Sequence, residues 1–465
     1  MAREALTHAP AEPREADLAD IQGMVYSGFA DHPYAAYVFA RLGTNPKLSR
    51  AWLASVRTRV TSAARETYQP HGRVQVALAP GGLRALGVPD LVIDDLPQEA
   101  KLGMHERTRT LGDPPASTWE LGNEDTPLDV LVIIFARDEA TRDQMIDRER
   151  SALETAGAHV YPAELSQDLG GREHFGFADG LSQPHLPGPH REPRNGGTAV
   201  ATGEILLGYK NAYNALPHAP HWGDIDVGRN GTYLVFRKLA QDVAGFWGWL
   251  DKHARDLAPR DPAAAADLRE LLAAKLVGRW RSGAPLTLTP DRDDPGFATP
   301  EMRNNFEFLP TDADGMRCPI TSHVRRANPR DARGGSAQDS DDVVSRHRIL
   351  RRGRSYGAPL DDAAARAGRD DGKPRGLYFI SLQASIARGF EFIQQTWLSA
   401  PGFHGLHAEP DPIMGNGDGS SHATIPAQPL RLRLRNVPRV VTVRGGGYFF
   451  LPSLTALERF SAEPT

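Results

Sequence analysis

The chain has 465 residues, of which 40% are hydrophobic and 24% charged, and its formal net charge is −4. This composition is typical of a soluble globular protein that is long enough for two domains. The small net charge gives no electrostatic argument for a nucleic acid or an anionic membrane as a partner. Cys318 is the single cysteine, which excludes an intrachain disulfide and a multi-thiolate metal site.

The N-terminal segment has the features of neither a secretion signal nor a membrane anchor. Residues 1–17 are rich in Ala, Pro and Glu and are predicted to be disordered. They contain no apolar stretch and no twin-arginine start, and no part of the sequence reaches the ~18 apolar residues of a membrane span. With the single cysteine, these features predict a cytoplasmic protein without membrane contact.

Hydrophobic periodicity predicts strands and helices that alternate along the chain. In the first half, strands are predicted at 23–29, 73–79 and 128–136, and helices at 46–66, 81–88 and 137–157. In the second half, strands are predicted at 231–239 and 376–383, helices at 241–254 and 384–400, and a final hairpin at 431–436 and 439–450. Two similar strand–helix–strand halves predict two α+β domains and not one parallel sheet.

Long stretches rich in Gly and Pro separate these elements. They cover residues 184–198, 282–300, 328–342 and 401–428. Loops of this length in a compact domain are usually functional or wrap a ligand. For 328–342, mobile surface decoration is an equally good interpretation.

The first of three polar segments that could carry chemistry is CPITSHVRRANPR, residues 318–330, in which Arg325 and Arg326 follow His323. An imidazole with cations nearby suits a haem, because the iron needs a neutral nitrogen ligand and the propionates need positive partners. From this segment alone, an ordinary histidine at the end of a helix is the better interpretation.

The other two segments are equally ambiguous when each is taken alone. Asp179 lies between Gly176 and Gly180 in HFGFADGLSQP, where a sharp turn would hold the acid in a dry pocket close to a ligand. Such turns are common, so a structural turn is the default. Arg351 follows the apolar pair Ile349–Leu350 and could point into a cavity to stabilise negative charge. A solvated basic strand is the alternative.

In combination and in this order, the three segments are specific. Together with GLYFISLQASIARGFEFIQQTW (376–397), DIQG (20–23), RVQVALAPGGLRALGV (73–88) and GGGYFFLPSL (445–454), they resemble the dye-decolorizing peroxidase family. The resemblance runs from residue 18 to the C-terminus. The length and the absence of a secretion signal are similar to those of the longer intracellular bacterial subgroup.

The resemblance implies a fold and a cofactor. The fold is two ferredoxin-like domains with antiparallel sheets, an N-terminal one at 18–225 and a C-terminal one at 226–465 that binds haem b. The resemblance places the iron ligand at His323, the distal acid–base residue at Asp179 and the distal cation at Arg351.

Further site residues follow from the same resemblance. Leu377 and Phe379, alternate residues on one strand face, would form the apolar wall of the distal pocket. Family members often have an acid where this chain has Ser385. Glu391 on the following helix is therefore the candidate for hydrogen-bond support of His323.

The function implied is a peroxidase that uses hydrogen peroxide to oxidise bulky dyes and phenolic or lignin-like compounds, with Mn(II) as a further candidate substrate. A different class of protein, a haem-binding carrier or iron-release protein on the same fold, is the alternative. Such a protein would need the haem contacts but not the Asp179–Arg351 pair. The sequence leaves the oligomeric state open.

Overall fold

A long antiparallel sheet organises the computed structural model, which describes residues 12–64, 72–189, 199–334, 336–417 and 419–463. Its strands are β1 (Tyr34–Arg41), β2 (Arg73–Leu78), β3 (Val130–Ala136), β4 (His159–Val160), β5 (Glu164–Leu165), β8 (Thr232–Gln241), β9 (Leu350–Arg351), β10 (Arg354–Tyr356), β11 (Gly376–Gln383) and β14 (Val441–Leu451). Two small sheets pair β6 (His221–Trp222) with β7 (Ile225–Asp226), and β12 (His422–Ile425) with β13 (Leu432–Arg435).

The order of the strands separates the two halves of the chain. The order is β10–β11–β8–β14–β2–β3–β1–β4, with β5 against β1 and β9 against β11. Strands of the first half thus lie on one side and strands of the second half on the other. The two sides join where Phe450 of β14 pairs with Leu78 of β2. The predicted boundary between residues 225 and 226 falls inside β7, and it stays a prediction.

The longer helices begin at side chains that accept a hydrogen bond from the first helical turn. Asn45, Asp138 and Asp261 do so for the helices Pro46–Arg57, Glu139–Thr155 and Pro262–Val277. The remaining α-helices are Glu15–Leu18, Pro80–Ala85, Asp90–Asp94, Gln98–Leu102, Thr108–Leu111, Val243–Leu257, Leu309–Asp312, His323–Ala327, Ala337–Val344, Asp362–Arg366 and Leu454–Ser461. No helix in the described parts of the chain is long and apolar enough to cross a membrane.

Both faces of the sheet are covered, as the continuous apolar sequence of β3 requires. Leu131, Ile133 and Phe135 pack into one core and Val130, Val132 and Ile134 into another. The second core also takes the buried side chains of the helix Pro46–Arg57. The burial of alternate residues fixes the register of the strands, because a slip of one residue would exchange the two faces.

Two predicted elements of the second half differ from the structure. The segment 384–400 was predicted as an ordinary helix but is wound as a π-helix over Ala387–Glu391 and Ile393–Leu398, with Glu391 N donating to Ile386 O. The predicted final hairpin is wrong, because β13 pairs with β12 while β14 pairs with β8 and β2. Residues 376–383 form β11 as predicted.

Three predictions for other segments also need correction. Residues 23–29 contain a short 3₁₀ helix and no strand, since the amide side chain of Gln75 accepts the Met24 N–H. The predicted helix at 46–66 ends at Arg57. The prediction of disorder for 1–17 is wrong for 15–17, where Asp17 is buried and pairs with Arg229; residues 1–11 lie outside the described residues.

The first part of the segment 328–342 packs into the fold, whereas residues 334, 336–339, 341 and 342 are exposed. Asp331 is buried and accepts the backbone N–H groups of Phe308 and Leu309. Ser336 caps the helix Ala337–Val344. Mobile surface decoration is therefore wrong for residues 328–332, and for the exposed residues both interpretations stay predictions.

Candidate active site

A cavity of about 300 Å³ lies against one face of the second-half strands. β8 contributes Arg237, Leu239 and Gln241, and β11 contributes Leu377 and Phe379. Elsewhere the cavity is lined by Glu173, Asp179, Arg279, His323, Arg330, His347, Arg348, Arg351, Phe390, Trp397 and Met414, among others. The predicted site residues His323, Asp179, Arg351, Leu377 and Phe379 therefore all line one cavity.

His323 is held in one orientation by a buried carboxylate. Its Nδ1 lies 3.1 and 3.2 Å from the two carboxylate oxygens of Asp411. The Ile413 and Met414 amides donate to the same carboxylate. Burial raises the pKa of Asp411, but the hydrogen bond with His323 and the nearby Arg326 guanidinium bring it below its ordinary value. With Nδ1 engaged, the Nε2 lone pair of His323 is left for a metal.

Glu391 does not support His323, so this prediction is wrong. Its carboxylate pairs with the Arg107 guanidinium, at 3.0 Å from Nε and 2.6 Å from Nη2, and accepts the Tyr448 hydroxyl at 2.8 Å. The π-helical winding changes which residues of this segment share a face. The hydrogen-bond partner of His323 is Asp411, which lies in the Gly/Pro-rich stretch 401–428.

Asp179 projects from a loop closed by glycines. Gly176 and Gly180 adopt the left-handed backbone conformation that favours glycine, with φ of 92° and 69°. The Gly180 amide donates to the Asp179 carboxylate at 2.6 Å. The side chain lines the cavity and has an exposed surface, and the predicted dry pocket around Asp179 stays a prediction.

Hydrogen bonds to the Glu173 carboxylate hold this loop against the sheet. Its carboxylate accepts the amides of Phe175 and Phe177, both at 2.9 Å, and Nε2 of Gln241 on β8 at 2.7 Å. Burial raises the pKa of Glu173 to about 7, against the lowering effect of these donors. Glu173 could not be predicted from the sequence, because a single acid ahead of a turn carries no pattern.

A pH-dependent difference in stability is expected for Glu173→Gln. Because the folded-state pKa is raised, the folded form retains the proton when the unfolded form has lost it. Wild type therefore loses up to about 3 kcal/mol relative to the variant as the pH rises from 4.5 to 7. For a chain of this length, the melting-temperature difference, wild type minus variant, should fall by about 3 °C between pH 4.5 and 7.5. The exposed Glu154→Gln is the control, and a difference that does not change with pH would contradict the assignment.

Arg351 reaches the cavity from a short strand. Its amide donates to Gln183 Oε1 at 3.0 Å and its Nη2 to Ser182 O at 2.7 Å. β9 is held on β11 through the Ser381↔Arg351 pair. The guanidinium is thereby tied to the loop that follows Asp179, and the two predicted distal residues are parts of one hydrogen-bonded unit.

Arginine side chains make one wall of the cavity strongly positive. Burial and then the neighbouring Arg330 and Arg351 lower the pKa of Arg279 to about 9. Burial, Arg330 and Arg351 likewise lower the pKa of Arg348 to about 10. Both guanidiniums are still charged at neutral pH, and an anion would relieve their repulsion from Arg330 and Arg351. This wall therefore suits carboxylates such as the propionates of haem.

The cations that supply this wall are not the two predicted from the sequence. Arg325 is buried against Asp312 and the Cys318 carbonyl. Arg326 donates to buried carbonyls, among them that of Trp397 at 2.8 Å. Neither lines the cavity, and both hold the loops around the His323 helix. The expectation that they serve the propionates is wrong.

Comparison with known proteins agrees with this geometry. No family model matches the chain. The dye-decolorizing peroxidase of Exidia glandulosa is 32% identical over 457 residues, which cover 94% of this chain and 86% of that protein. The multifunctional dye peroxidase DyP2 of an Amycolatopsis strain is 30% identical over 464 residues, covering 95% and 93%. The chain belongs to the dye-decolorizing peroxidase family.

Solved structures of dye-decolorizing peroxidases superimpose over nearly the whole chain. The structure from Auricularia auricula-judae has a TM-score of 0.82 at 28% identity, and an ancestral D-type enzyme has 0.82 at 29%. Each covers 96% of this chain and 99% of its own. The predicted fold of two ferredoxin-like domains with antiparallel sheets is confirmed.

Membership of the family also confirms the predicted activity. This dye-decolorizing peroxidase is an oxidoreductase that uses hydrogen peroxide to oxidise dyes and phenolic compounds, and a haem cofactor is implied. The relatives reported above are named as peroxidases, not as haem carriers. The bacterial subgroup stays a prediction, because fungal relatives match as well as the bacterial DyP2.

Proposed function

We propose that this peroxidase binds haem b in the cavity on β8 and β11, with His323 as the protein ligand of the iron. The observation that carries the proposal is the His323–Asp411 hydrogen bond, which leaves Nε2 free at the cavity wall. Leu377 and Phe379 offer an apolar face to a flat macrocycle. Arg279, Arg330 and Arg348 would provide the positive partners of its propionates.

The donor set fits a haem better than a bare metal ion. Within the described ranges, no group of three or more His, Cys, Asp or Glu side chains is placed to hold a metal. A single histidine with a carboxylate behind it is a typical proximal ligand of a haem, because the macrocycle supplies the remaining donors. Bound here, haem supplies the redox centre that reduces peroxide and then takes electrons from the reductant.

Asp179 and Arg351 would act on the peroxide. The Asp179 carboxylate would take a proton from one oxygen of the peroxide and give it to the other, which leaves as water; haem, when bound, would supply the two electrons for the O–O cleavage. The Arg351 guanidinium stabilises the negative charge that develops on the leaving oxygen. The ties of Arg351 to Ser182 and Gln183 keep this cation next to the loop of the acid.

The visible spectrum of the purified protein, recorded before and after one equivalent of peroxide, tests this proposal. We expect a Soret band that changes on mixing and returns when a phenol is added. Extraction in alkaline pyridine should give the spectrum of haem b. A protein without a Soret band would overturn the proposal. Mn(II) oxidation and a cytoplasmic location stay predictions.

Asp411→Asn is expected to weaken haem binding while the fold is kept. The amide still has an oxygen that can accept from Ile413 and Met414, but it no longer offers His323 Nδ1 a negative charge. The imidazole becomes a poorer donor, so haem affinity should fall about 10–100-fold and the reduction potential of the iron should rise. Haem transfer to an apoglobin and a redox titration measure the two effects.

Glu391→Gln is the matched control for Asp411→Asn. It neutralises another buried carboxylate, which pairs with Arg107 and does not contact His323. Haem transfer and potential should be close to those of the wild type. If haem transfer and the reduction potential change in Glu391→Gln and not in Asp411→Asn, then Glu391, and not Asp411, supports His323.

A further inference from the structure

A buried ion pair connects the two halves of the sequence beside the cavity. Arg237 of β8 is 1% exposed and lines the cavity, and its Nη2 donates to Oδ1 of Asp113 from the first half. The Asp113 side chain is 4% exposed. Among the described residues Arg237 is the one hydrogen-bond donor to this carboxylate, because the other oxygen is buried without a partner. Since a buried ion pair adds little net stability, its place beside the cavity calls for another explanation.

The Arg237 guanidinium also holds a buried glutamine. Its Nη1 donates to Gln394 Oε1 at 3.2 Å. Gln394 is 4% exposed and lies in the π-helical segment Ile393–Leu398. Its Nε2 donates to the Met414 carbonyl at 3.1 Å and to Ser399 Oγ at 3.2 Å. Because both the oxygen and the nitrogen of this amide have partners, its orientation is fixed.

The bond to Met414 reaches the carboxylate that supports His323. The Met414 amide donates to Asp411 Oδ1 at 2.7 Å, and Asp411 Oδ2 lies 3.1 Å from His323 Nδ1. Gln394 therefore fixes the residue whose N–H holds the Asp411 carboxylate in place. The complete row of hydrogen bonds runs through Asp113, Arg237, Gln394, Met414, Asp411 and His323.

A second contact brings the same two segments together. Gly112, the residue before Asp113, has a φ of 73°, and a Cβ at this position would lie 2.7 Å from Nδ2 of Asn416. The Asp113 loop therefore packs directly against the loop that carries Asp411 and Met414. The first half of the sequence thus contacts the loop behind His323 directly as well as through the row of side chains.

We propose that Arg237 and Gln394 are positioning residues for His323. The inference rests on the proposed function, in which His323 is the protein ligand of the iron. Through the backbone of the loop, the two side chains hold the Asp411 carboxylate against His323 Nδ1, and this keeps Nε2 a strong electron donor. Asp113 anchors both of them from the first half of the sequence.

Gln394→Met tests the proposal, because methionine fills a similar space and cannot form these hydrogen bonds. We expect the iron–imidazole stretching band of the ferrous protein, measured by resonance Raman spectroscopy, to move to lower frequency. The reduction potential of the iron should rise. Haem affinity should fall by less than the about 10–100-fold expected for Asp411→Asn. A wild-type band and a wild-type potential in Gln394→Met would overturn the proposal.

A double variant shows whether Gln394 acts through Asp411. If it does, adding Gln394→Met to Asp411→Asn should shift the band and the potential no further, because residues that act through one another are not additive. Shifts equal to the sum of the two single shifts would contradict the proposal. Gln22→Met is the matched control, since Gln22 is buried off the cavity and donates to the Val76 and Pro452 carbonyls. It should lower the melting temperature and leave the band and the potential unchanged.

Asp113→Asn tests the anchor from the first half. Its amide oxygen can still accept from Arg237, but the buried guanidinium loses its anion, so the reduction potential should rise. The control is Glu149→Gln, which neutralises a buried acid that pairs with Arg59 off the cavity. A potential in Asp113→Asn equal to that of the control would remove Asp113 from the row and overturn its role as the anchor.

The proposed function is tested separately, by the Soret band of the wild type and its loss in His323→Ala. A protein that binds haem through His323 and shows no shift in Gln394→Met would refute this inference alone.

Discussion

His323→Ala is expected to give a folded protein that retains almost no haem. The imidazole is the cavity-lining side chain with one ring nitrogen engaged by a buried carboxylate and the other left for a metal. Its removal takes away the protein–iron bond, and the apolar wall and the arginines alone would hold the macrocycle weakly. Soret absorbance per protein after reconstitution measures the loss, and far-ultraviolet circular dichroism shows that the fold is kept.

The other candidate ligands near the cavity are controls for this experiment. His347→Ala should keep its haem, because its ring is held in a face-to-face stack on Phe392 and its Nδ1 partner is the neutral Arg388 carbonyl, whereas His323 has the carboxylate that strengthens a metal ligand. Cys318 is buried off the cavity, where burial raises the pKa of its thiol, so a thiolate ligand is disfavoured. A normal Soret band in His323→Ala, with loss of the band in His347→Ala, would move the ligand to His347.

The site residues that the sequence identified lie in short segments whose local structure is self-contained. Asp179 is displayed by a turn that its own flanking glycines close. Leu377 and Phe379 alternate on β11, so one face presents both to the cavity. Strand periodicity and glycine turns are local properties. A motif that includes them therefore also determines the direction in which its side chains point.

The residues that the sequence missed depend on contacts between distant segments. Asp411 meets His323 across 88 positions of the chain, from a loop without periodicity. Glu391 was proposed as an acid on the helix after Ser385, but its partner is Arg107, which lies 284 positions earlier in the chain. Arg326 looked like a free cation in the sequence, but its partners are backbone carbonyls of a remote loop. Such pairings follow from the tertiary packing, which composition and spacing do not encode.

Asp179→Asn and Arg351→Leu are both expected to retain haem and to react slowly with peroxide. The asparagine cannot take a proton, and loss of a general base typically costs ~10²–10⁴-fold in rate. The leucine removes the cation that stabilises the leaving oxygen, a loss on the order of 2.7–4 kcal/mol, or about 10²–10³-fold. Stopped-flow mixing with peroxide, followed at the Soret band, measures the rates. Asp168→Asn, an exposed acid that does not line the cavity, is the control.

Glu173→Gln is a useful comparison in this experiment, because among the described residues Glu173 is the other carboxylate that lines the cavity. Its two backbone donors and Gln241 occupy both oxygens, whereas Asp179 accepts the single amide of Gly180 and is open to solvent. A carboxylate with free acceptor positions and access to water can exchange protons with peroxide. Glu173 could do so only by giving up hydrogen bonds that hold its loop on the sheet. Glu173→Gln should therefore slow the peroxide reaction less than Asp179→Asn. The reverse order would make Glu173 the proton acceptor and reduce Asp179 to a residue of the turn.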